Sequence, residues 1–288
     1  MKDFKFDLTW ERARGLLLWF ALPLIVGILV AALISQPTVG LIYLNESINS
    51  YSAKDLIAQI DYARSHPEIR AVVLVIDSPG GTVADTEAVY LELLKLRQAR
   101  PVVASINSMA ASGAYYLTVG TDYAFAKPTS DVGNIGVIGY MPAAPGIYED
   151  ILSTGPYKLW GSPRDTSMRQ IEMIKQGFYG AVKAGRGARL TASPDLVLSG
   201  QIWPASEALR LGLIDALGAQ SDAVEKAASM AHISNYQTVD LASQTGAQSP
   251  PVTYGFFAQT ADGIVLPYPK QPGIYMLYIP PMPAAEKK

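Results

Sequence analysis

Ser105-Ile-Asn-Ser-Met-Ala-Ala-Ser-Gly-Ala-Tyr-Tyr-Leu117 joins an apolar strand, Val102 to Ile106, to an apolar segment, Tyr115 to Val119, through a cluster of small residues. A serine at a strand-to-helix junction puts its hydroxyl at a helix N-terminus. Free backbone N–H groups there favour a developing negative charge. Small neighbours let a second backbone come close. The same pattern also suits a tightly packed helix start, so Ser112 needs support from the rest of the chain.

That support begins upstream. Ala71 to Ile76 is a continuous apolar run of the kind found in buried parallel strands. Asp77-Ser-Pro-Gly-Gly-Thr82 follows, and then an apolar-periodic helix, Val83 to Arg97. Two glycines after a proline expose bare N–H groups, which suits either an oxyanion hole or a tight turn. Two successive βα junctions of one parallel sheet lie near each other at its C-terminal edge. Gly80 or Gly81 can therefore converge with Gly113 on one carbonyl oxygen.

Further strands read at Val39 to Leu44 and Tyr123 to Ala126, with a helix at Ala53 to Arg64. Strand and helix alternate at a spacing that predicts βαβ units and a largely parallel sheet. Val132 to Gly139 reads as one glycine-punctuated strand, and Ser167 to Ala184 as a helix. Trp203 to Gly218 reads as a capped helix, a turn and a short strand. Ser221 to Ala231 reads as a last helix. Beyond Thr238 the composition turns to Gln, Ser, Pro, Gly and Tyr, which predicts an extended tail with a single strand at Ile274 to Ile279.

Composition narrows the chemistry. The net charge is −2 among 288 residues, and no basic stripe is present, which argues against nucleic acid as a partner. No cysteine exists for a disulfide or a thiolate metal site. Only two histidines occur, His66 and His232, both in boundary contexts, so a Ser-His-Asp triad and a His-ligated zinc site have poor material. No cofactor and no metal are expected. If Ser112 is a nucleophile, its base is a Lys, Asp or Glu. A lysine serves where desolvation lowers its pKa from about 10.4. Lys158, flanked by Tyr157, Leu159 and Trp160, is the best-placed candidate, with Lys127 as rival and Lys175 and Lys183 on a polar helix face.

The N-terminal part carries Leu16 to Ile34, a run of about 19 residues without a charge. At about 1.5 Å per residue it matches a hydrocarbon core of about 30 Å. Lys2, Lys5, Arg12 and Arg14 precede it, and the next basic residue is Lys54. The positive-inside rule puts residues 1–14 in the cytoplasm, a single-pass transmembrane helix at 15–35, and the bulk of the chain outside the cell membrane. A domain at 38–237 and a Pro/Tyr-rich tail at 238–288 complete the expected organisation.

Five segments occur in one order: Asp77-Ser-Pro-Gly-Gly81, Ser108-Met-Ala-Ala-Ser-Gly-Ala-Tyr-Tyr116, Gly133-Asn-Ile-Gly-Val137, Gly155-Pro-Tyr-Lys158 and Gly212-Leu-Ile-Asp-Ala-Leu-Gly218. Together they resemble the signal peptide peptidase A family of membrane-anchored serine peptidases with a Clp-protease/crotonase-like α/β fold. The resemblance covers roughly Val39 to Ala231. It implies Ser112 as nucleophile, Lys158 as general base, and Gly80, Gly81 and Gly113 around the oxyanion. It also implies a ring-shaped homo-oligomer with the dyad completed between neighbouring protomers. The implied substrates are remnant signal peptides and other membrane-released peptides. Two positions depart from the family. Ala114 stands where a second glycine is usual, and Asn134 stands where a lysine-orienting serine is common. Asn134 motivates one alternative, a catalytically impaired membrane scaffold of the same fold. An acyl-CoA enzyme of the crotonase type is a further alternative, but it needs neither this Ser and Lys nor an anchor. The charge asymmetry predicts that a reporter fused after Lys288 behaves as extracytoplasmic; a reporter active only in the cytoplasm would reverse the orientation.

Overall fold

The computed structural model describes residues 10, 14–15, 17–33, 36–140, 154–155, 157–158, 161–246, 257–259, 265–267 and 273–278. Met141 to Gly146, expected as a loop, lies outside the described residues.

Over the N-terminal apolar run, a wide π-helical segment, Leu17–Ala21, leads into helix α1, Leu22–Leu33. Leu17, Leu18, Trp19, Phe20, Leu24 and Ile28 are all exposed. No helix among the described residues is long and apolar enough to cross a membrane.

The chain then alternates as the apolar runs dictate. Strand β1, Thr38–Leu44, is followed by helix α2, Ser50–Ser65, and strand β2, Ile69–Ser78. Asn49 starts α2 with a reciprocal cap. Its Oδ1 accepts from the N–H groups of Tyr51 and Ser52, while its own N–H donates to Ser52 Oγ. Strand β3, Gly80–Thr82, precedes helix α3, Val83–Ala99. Strand β4, Val102–Ala111, runs to the residue before Ser112, and helix α4, Gly113–Thr118, starts immediately after it. Strand β5, Tyr123–Ala126, follows. The single strand expected at Val132 to Gly139 is instead two, β6, Asp131–Gly133, and β7, Ile138–Tyr140. Positive φ at Gly133 and Asn134 breaks the extended run between them.

Helix α5, Arg164–Arg186, is longer than its apolar pattern suggested, and helix α6, Pro194–Val197, is a single turn. Trp203 falls in strand β8, Ile202–Pro204, rather than at a helix start, because β8 pairs with β6. Helix α7, Ala205–Arg210, strand β9, Ala216–Leu217, and helix α8, Gln220–Met230, follow. The segment near Thr238 forms strand β10, Gln237–Asp240, and helix α9, Ala242–Thr245. Among the described residues three short strands lie beyond, β11, Phe257–Gln259, β12, Val265–Pro267, and β13, Gly273–Leu277.

Among the described residues the main sheet has eight strands, with the order β10-β1-β2-β4-β5-β9, and β6 and β8 attached beside the end of β4. All its pairings are parallel except β6 with β8. Side chains alternate across it as a two-residue period requires. Val72, Leu74 and Ile76 of β2 face a core shared with α2, α3 and Phe178 of α5. Ala71, Val73 and Val75 face the opposite layer, where Ala223, Ala227 and Ala228 of α8 pack. Both faces of the sheet are thus covered, which is why its strands read as unbroken apolar runs.

A buried ion pair ties α5 to this sheet. Arg186 makes a bidentate contact with Asp215, at 2.8 and 2.9 Å, and its Nε donates to the Gly212 carbonyl. Asp215 also accepts from the Ala124 N–H and from Arg189. Burial pushes the Asp215 carboxyl up. The hydrogen bonds and charge of Arg186, the Ala124 N–H and the charge of Arg189 outweigh it, so its pKa lies below the ordinary 3.8. Asp215→Asn leaves Arg186 buried without a counter-charge and should cost about 3–5 kcal/mol in urea unfolding at neutral pH. A carboxyl with a depressed folded pKa stabilises above its unfolded value and loses that contribution as pH falls through the folded one. The gap between wild type and Asp215→Asn should therefore persist at pH 5 and close only below about pH 3.8. A gap already lost at pH 5 would contradict the pairing.

Candidate active site

Strand β4 ends at Ala111, and the chain reverses within one residue into α4. Ser112 makes that reversal at φ 55° and ψ −118°, a region that side-chain-bearing residues avoid. The turn is held from outside. The Ser112 N–H donates to the Gly133 carbonyl at 2.8 Å, and the Ser112 carbonyl accepts from the Tyr116 N–H. Ser112 is 1% exposed.

The Pro79-Gly80-Gly81 turn closes on the same point. Gly80 has a φ of 95°, and a Cβ built on it would stand 2.6 Å from the Gly113 nitrogen and collide with the Met276 carbonyl oxygen. A Cβ on Gly81 would collide with the Ile48 backbone, which brackets β3 through the Ile48 N–H to the Gly80 carbonyl and the Thr82 N–H to the Ile48 carbonyl. A Cβ on Gly113 would stand 2.7 Å from Thr86 Oγ1. The structure therefore brings Ser112, Gly80, Gly81 and Gly113 together, backbone against backbone. The Gly80 N–H donates to Ser78 Oγ at 3.2 Å.

Ser112 opens onto a cavity of about 420 Å³. Asn134, Ile138, Lys175, Gly200, Leu277 and Tyr278 are among its lining residues. Asn134 sits at φ 53°, which asparagine tolerates. Its Nδ2 donates to the Gly200 carbonyl at 2.7 Å and its N–H to the Gln201 carbonyl, so the side chain fixes one wall of the cavity.

The lysines divide differently. Lys158 lies exposed in a turn beside the exposed Tyr157, and it is not among the residues lining the Ser112 cavity. Lys175 of α5 does line it, while forming an ion pair with Glu172 at 2.6 Å. Spacing alone placed Lys175 on a polar face, and no motif marks it. Lys127 is exposed just after β5. Leu277 and Tyr278 were equally hidden, since nothing in a Pro-rich tail tells where its one apolar stretch docks.

The arrangement offers a buried hydroxyl on a strained turn, N–H groups of a glycine pair beside it, and a cavity with one ammonium group on its wall. That set suits nucleophilic attack on a carbonyl, given a base. Gly80→Ala should cost about 1–3 kcal/mol, because a backbone atom occupies the new methyl's place. Gly177→Ala in α5, where a Cβ meets open space, should instead be neutral or stabilising by about 0.5–1 kcal/mol. Thermal unfolding of the two variants checks both signs.

Residues 95–234 match peptidase family S49, and residues 32–132 match the Clp protease family. Protease 4 of Salmonella typhi is 34% identical over 199 residues, 62% of this chain and 32% of that protein. The putative signal peptide peptidase SppA of Enterococcus faecium is 25% identical over 195 residues, 62% of this chain and 56% of that protein. The chain thus spans about a third of the first relative's length and a little over half of the second's. The solved structure of the 1510-N membrane-bound stomatin-specific protease, a mutant in complex with a substrate peptide, matches with a TM-score of 0.52 at 14% identity. The match covers 72% of this chain and 93% of that one, and at this identity it concerns the fold.

Proposed function

We propose, from the match of residues 95–234 to peptidase family S49, that this chain is a membrane-anchored serine endopeptidase acting through Ser112. One observation carries the reading. Ser112 holds a strained backbone conformation that the surrounding hydrogen bonds enforce, at the point where Gly80 and Gly113 meet. Strain retained at a buried hydroxyl beside a cavity is better explained by chemistry than by packing.

In the proposed cycle a neutral lysine takes the Ser112 proton, and Ser112 Oγ attacks a peptide carbonyl. The N–H groups of Gly113 and the Gly80–Gly81 turn stabilise the oxyanion. The same lysine returns the proton to the leaving amine, and water then hydrolyses the acyl-enzyme. The base is Lys158, in the Gly155-Pro-Tyr-Lys158 motif. Its exposed turn fits a lysine delivered to the Ser112 of a neighbouring copy in a ring-shaped homo-oligomer. Lys175 is the second reading for the base, favoured by its place on the wall of the Ser112 cavity.

The exposed apolar side chains between Leu17 and Ile28 support anchoring of the Leu16 to Ile34 run in the cell membrane, and the basic residues ahead of that run favour an extracytoplasmic peptidase domain. Peptides released from membranes, remnant signal peptides among them, are the proposed substrates. The apolar lining from Val137, Ile138 and Leu198 favours small or apolar residues at the cleaved position, since an unpaired ion is costly to bury and the ammonium group on the wall, Lys175, already pairs with Glu172.

Ser112→Ala should lower peptide turnover by several orders of magnitude and abolish labelling by a fluorophosphonate. Lys158→Arg should be nearly as damaging, because a guanidinium keeps the charge but gives up no proton near neutral pH. Lys175→Arg should change the rate by less than about tenfold if Lys158 is the base. The reverse order of the two lysine variants would move the base to Lys175. Normal turnover in Ser112→Ala would move the nucleophile elsewhere, whereas no turnover and no labelling of the unsubstituted protein would leave the non-catalytic scaffold.

A further inference from the structure

Helix α5 turns one face inward, and two charged side chains on that face are served differently. From Ile171 to Arg186 the positions that recur at helical spacing are half-buried or buried, and most of those between are exposed. Ile171 lies against Gly139 of β7, and Phe178 and Val182 belong to the core. Lys175 falls on the same face, one turn after Ile171 and one turn before Phe178 and Val182. Arg186 has a counter-charge built into the fold, since its side chain and that of Asp215 are each 4% exposed. Lys175 is 30% exposed, and the carboxylate it meets at 2.6 Å belongs to Glu172, which is 55% exposed on the same helix. Such a solvated pair between neighbouring turns holds its partners weakly and is screened by salt.

The cavity that Ser112 lines has Lys175 on its wall, and among its described lining residues there is no aspartate or glutamate. Its other polar side chains are already engaged: Asn134 Nδ2 donates to the Gly200 carbonyl, and Ser199 Oγ donates to the Leu196 carbonyl. Val137, Ile138 and Leu198 are apolar. The wall therefore offers a cation that nothing else in the wall answers. Resting on the peptidase reading with Lys158 as base, we propose that Lys175 determines specificity by binding a carboxylate of the substrate. The favoured peptides then present a small or apolar residue at the cleaved bond and a carboxylate at another position, from an acidic side chain or from a free C-terminus. On binding, the Lys175 ammonium exchanges Glu172 for the substrate carboxylate. A pair inside the cavity is less screened than the exposed one it replaces. The same carboxylate without the ammonium would be costly to bury. This role excludes Lys175 as the base, because an ammonium group kept charged by a carboxylate has no lone pair to take a proton.

Peptide binding to the full-length Ser112→Ala protein tests this without turnover. The probe is a fluorescein-labelled Leu-Ala-Leu-Ala-Leu-Ala peptide, followed by anisotropy at low salt. Three forms are compared: the C-terminal amide, the free C-terminal carboxylate, and amides with Glu placed at each position in turn, each matched to its Gln counterpart. One carboxylate-bearing form should bind about tenfold more tightly than its neutral counterpart. The free-acid and Glu arms tell a C-terminus from a side chain. Lys175→Gln should bring that ratio to within about twofold, and Lys175→Arg should keep it, because the charge is what binds. Lys175→Glu should transfer the preference to peptides carrying Lys in place of Glu. A ratio of affinities within one variant does not depend on how much of the protein is folded. Glu172→Gln, with Lys175 in place, should raise the ratio further by removing the competing carboxylate, and added salt should lower it.

Equal binding of acidic and neutral peptides, no binding of any of them, or a preference that survives in Lys175→Gln would each overturn the proposal. Peptide binding needs no reactive serine, so the two readings fail separately. If the Lys175-dependent preference is found while the unsubstituted protein neither cleaves peptides nor takes up a fluorophosphonate, the carboxylate subsite stands and the peptidase reading falls. If the protein cleaves and is labelled but shows no such preference, the peptidase reading stands and the subsite falls.

Discussion

Three chain segments meet at the end of β4 with no side chain between them. Gly81 lies against the Ile48 backbone, Gly80 against the Gly113 nitrogen, and Ser112 turns beside them at φ 55°. A Cβ at Gly80 or Gly81 would displace a backbone, and a displaced backbone would carry Ser112 with it. The contact ties β3, the loop around Ile48 and the β4–α4 turn into one rigid unit. Close packing makes such a unit hold one arrangement rather than deform gradually. The strain at Ser112 is offset by what surrounds it, namely the bond to the Gly133 carbonyl and the apolar core behind Tyr115 and Leu117.

That unit is presented by a sheet covered on both faces. Residues that alternate between the α2/α3/α5 layer and the α8 layer leave no freedom of register in β1, β2 or β4. The Arg186–Asp215 pair extends this order to α5. Through α5 it locates Lys175 on the cavity wall, while Phe178, one turn further on, anchors the helix in the core. The Gly212-Leu-Ile-Asp-Ala-Leu-Gly218 motif therefore has a structural cause. Asp215 is the shared acceptor for two arginines and a strand N–H, and the Leu213 carbonyl accepts from the buried Tyr115 hydroxyl at 2.8 Å.

The edges of β3 explain why the tail matters. One edge is used by Ile48, and the other would lie open without β13. An open strand edge pairs with whatever extended backbone is available. A tethered segment has the advantage over a free peptide, because its translational freedom is already restricted.

Much of the architecture was legible in the residues. Continuous apolar runs at Ala71 to Ile76 and Val102 to Ile106 mark strands buried on both faces, and their spacing with amphipathic segments dictates parallel pairing. The turn at Pro79-Gly80-Gly81 and the small residues around Ser112 were legible too, since only glycine permits backbones to touch. Regular periodicity made these features local. The division of Val132 to Gly139 into two strands was not local, because a break at Gly133 and Asn134 depends on what β6 and β7 pair with. Nor could Trp203 be placed in a strand without β6 beside it. Sequence context favours Lys158 over Lys175, which no motif marks, and only the path of α5 puts Lys175 on the wall of the cavity that Ser112 lines. The docking of residues 273–278 between β3 and β7 belongs wholly to tertiary structure. A five-residue apolar strand carries no address, and its partners, Gly80 to Thr82 and Ile138 to Tyr140, lie more than a hundred residues away.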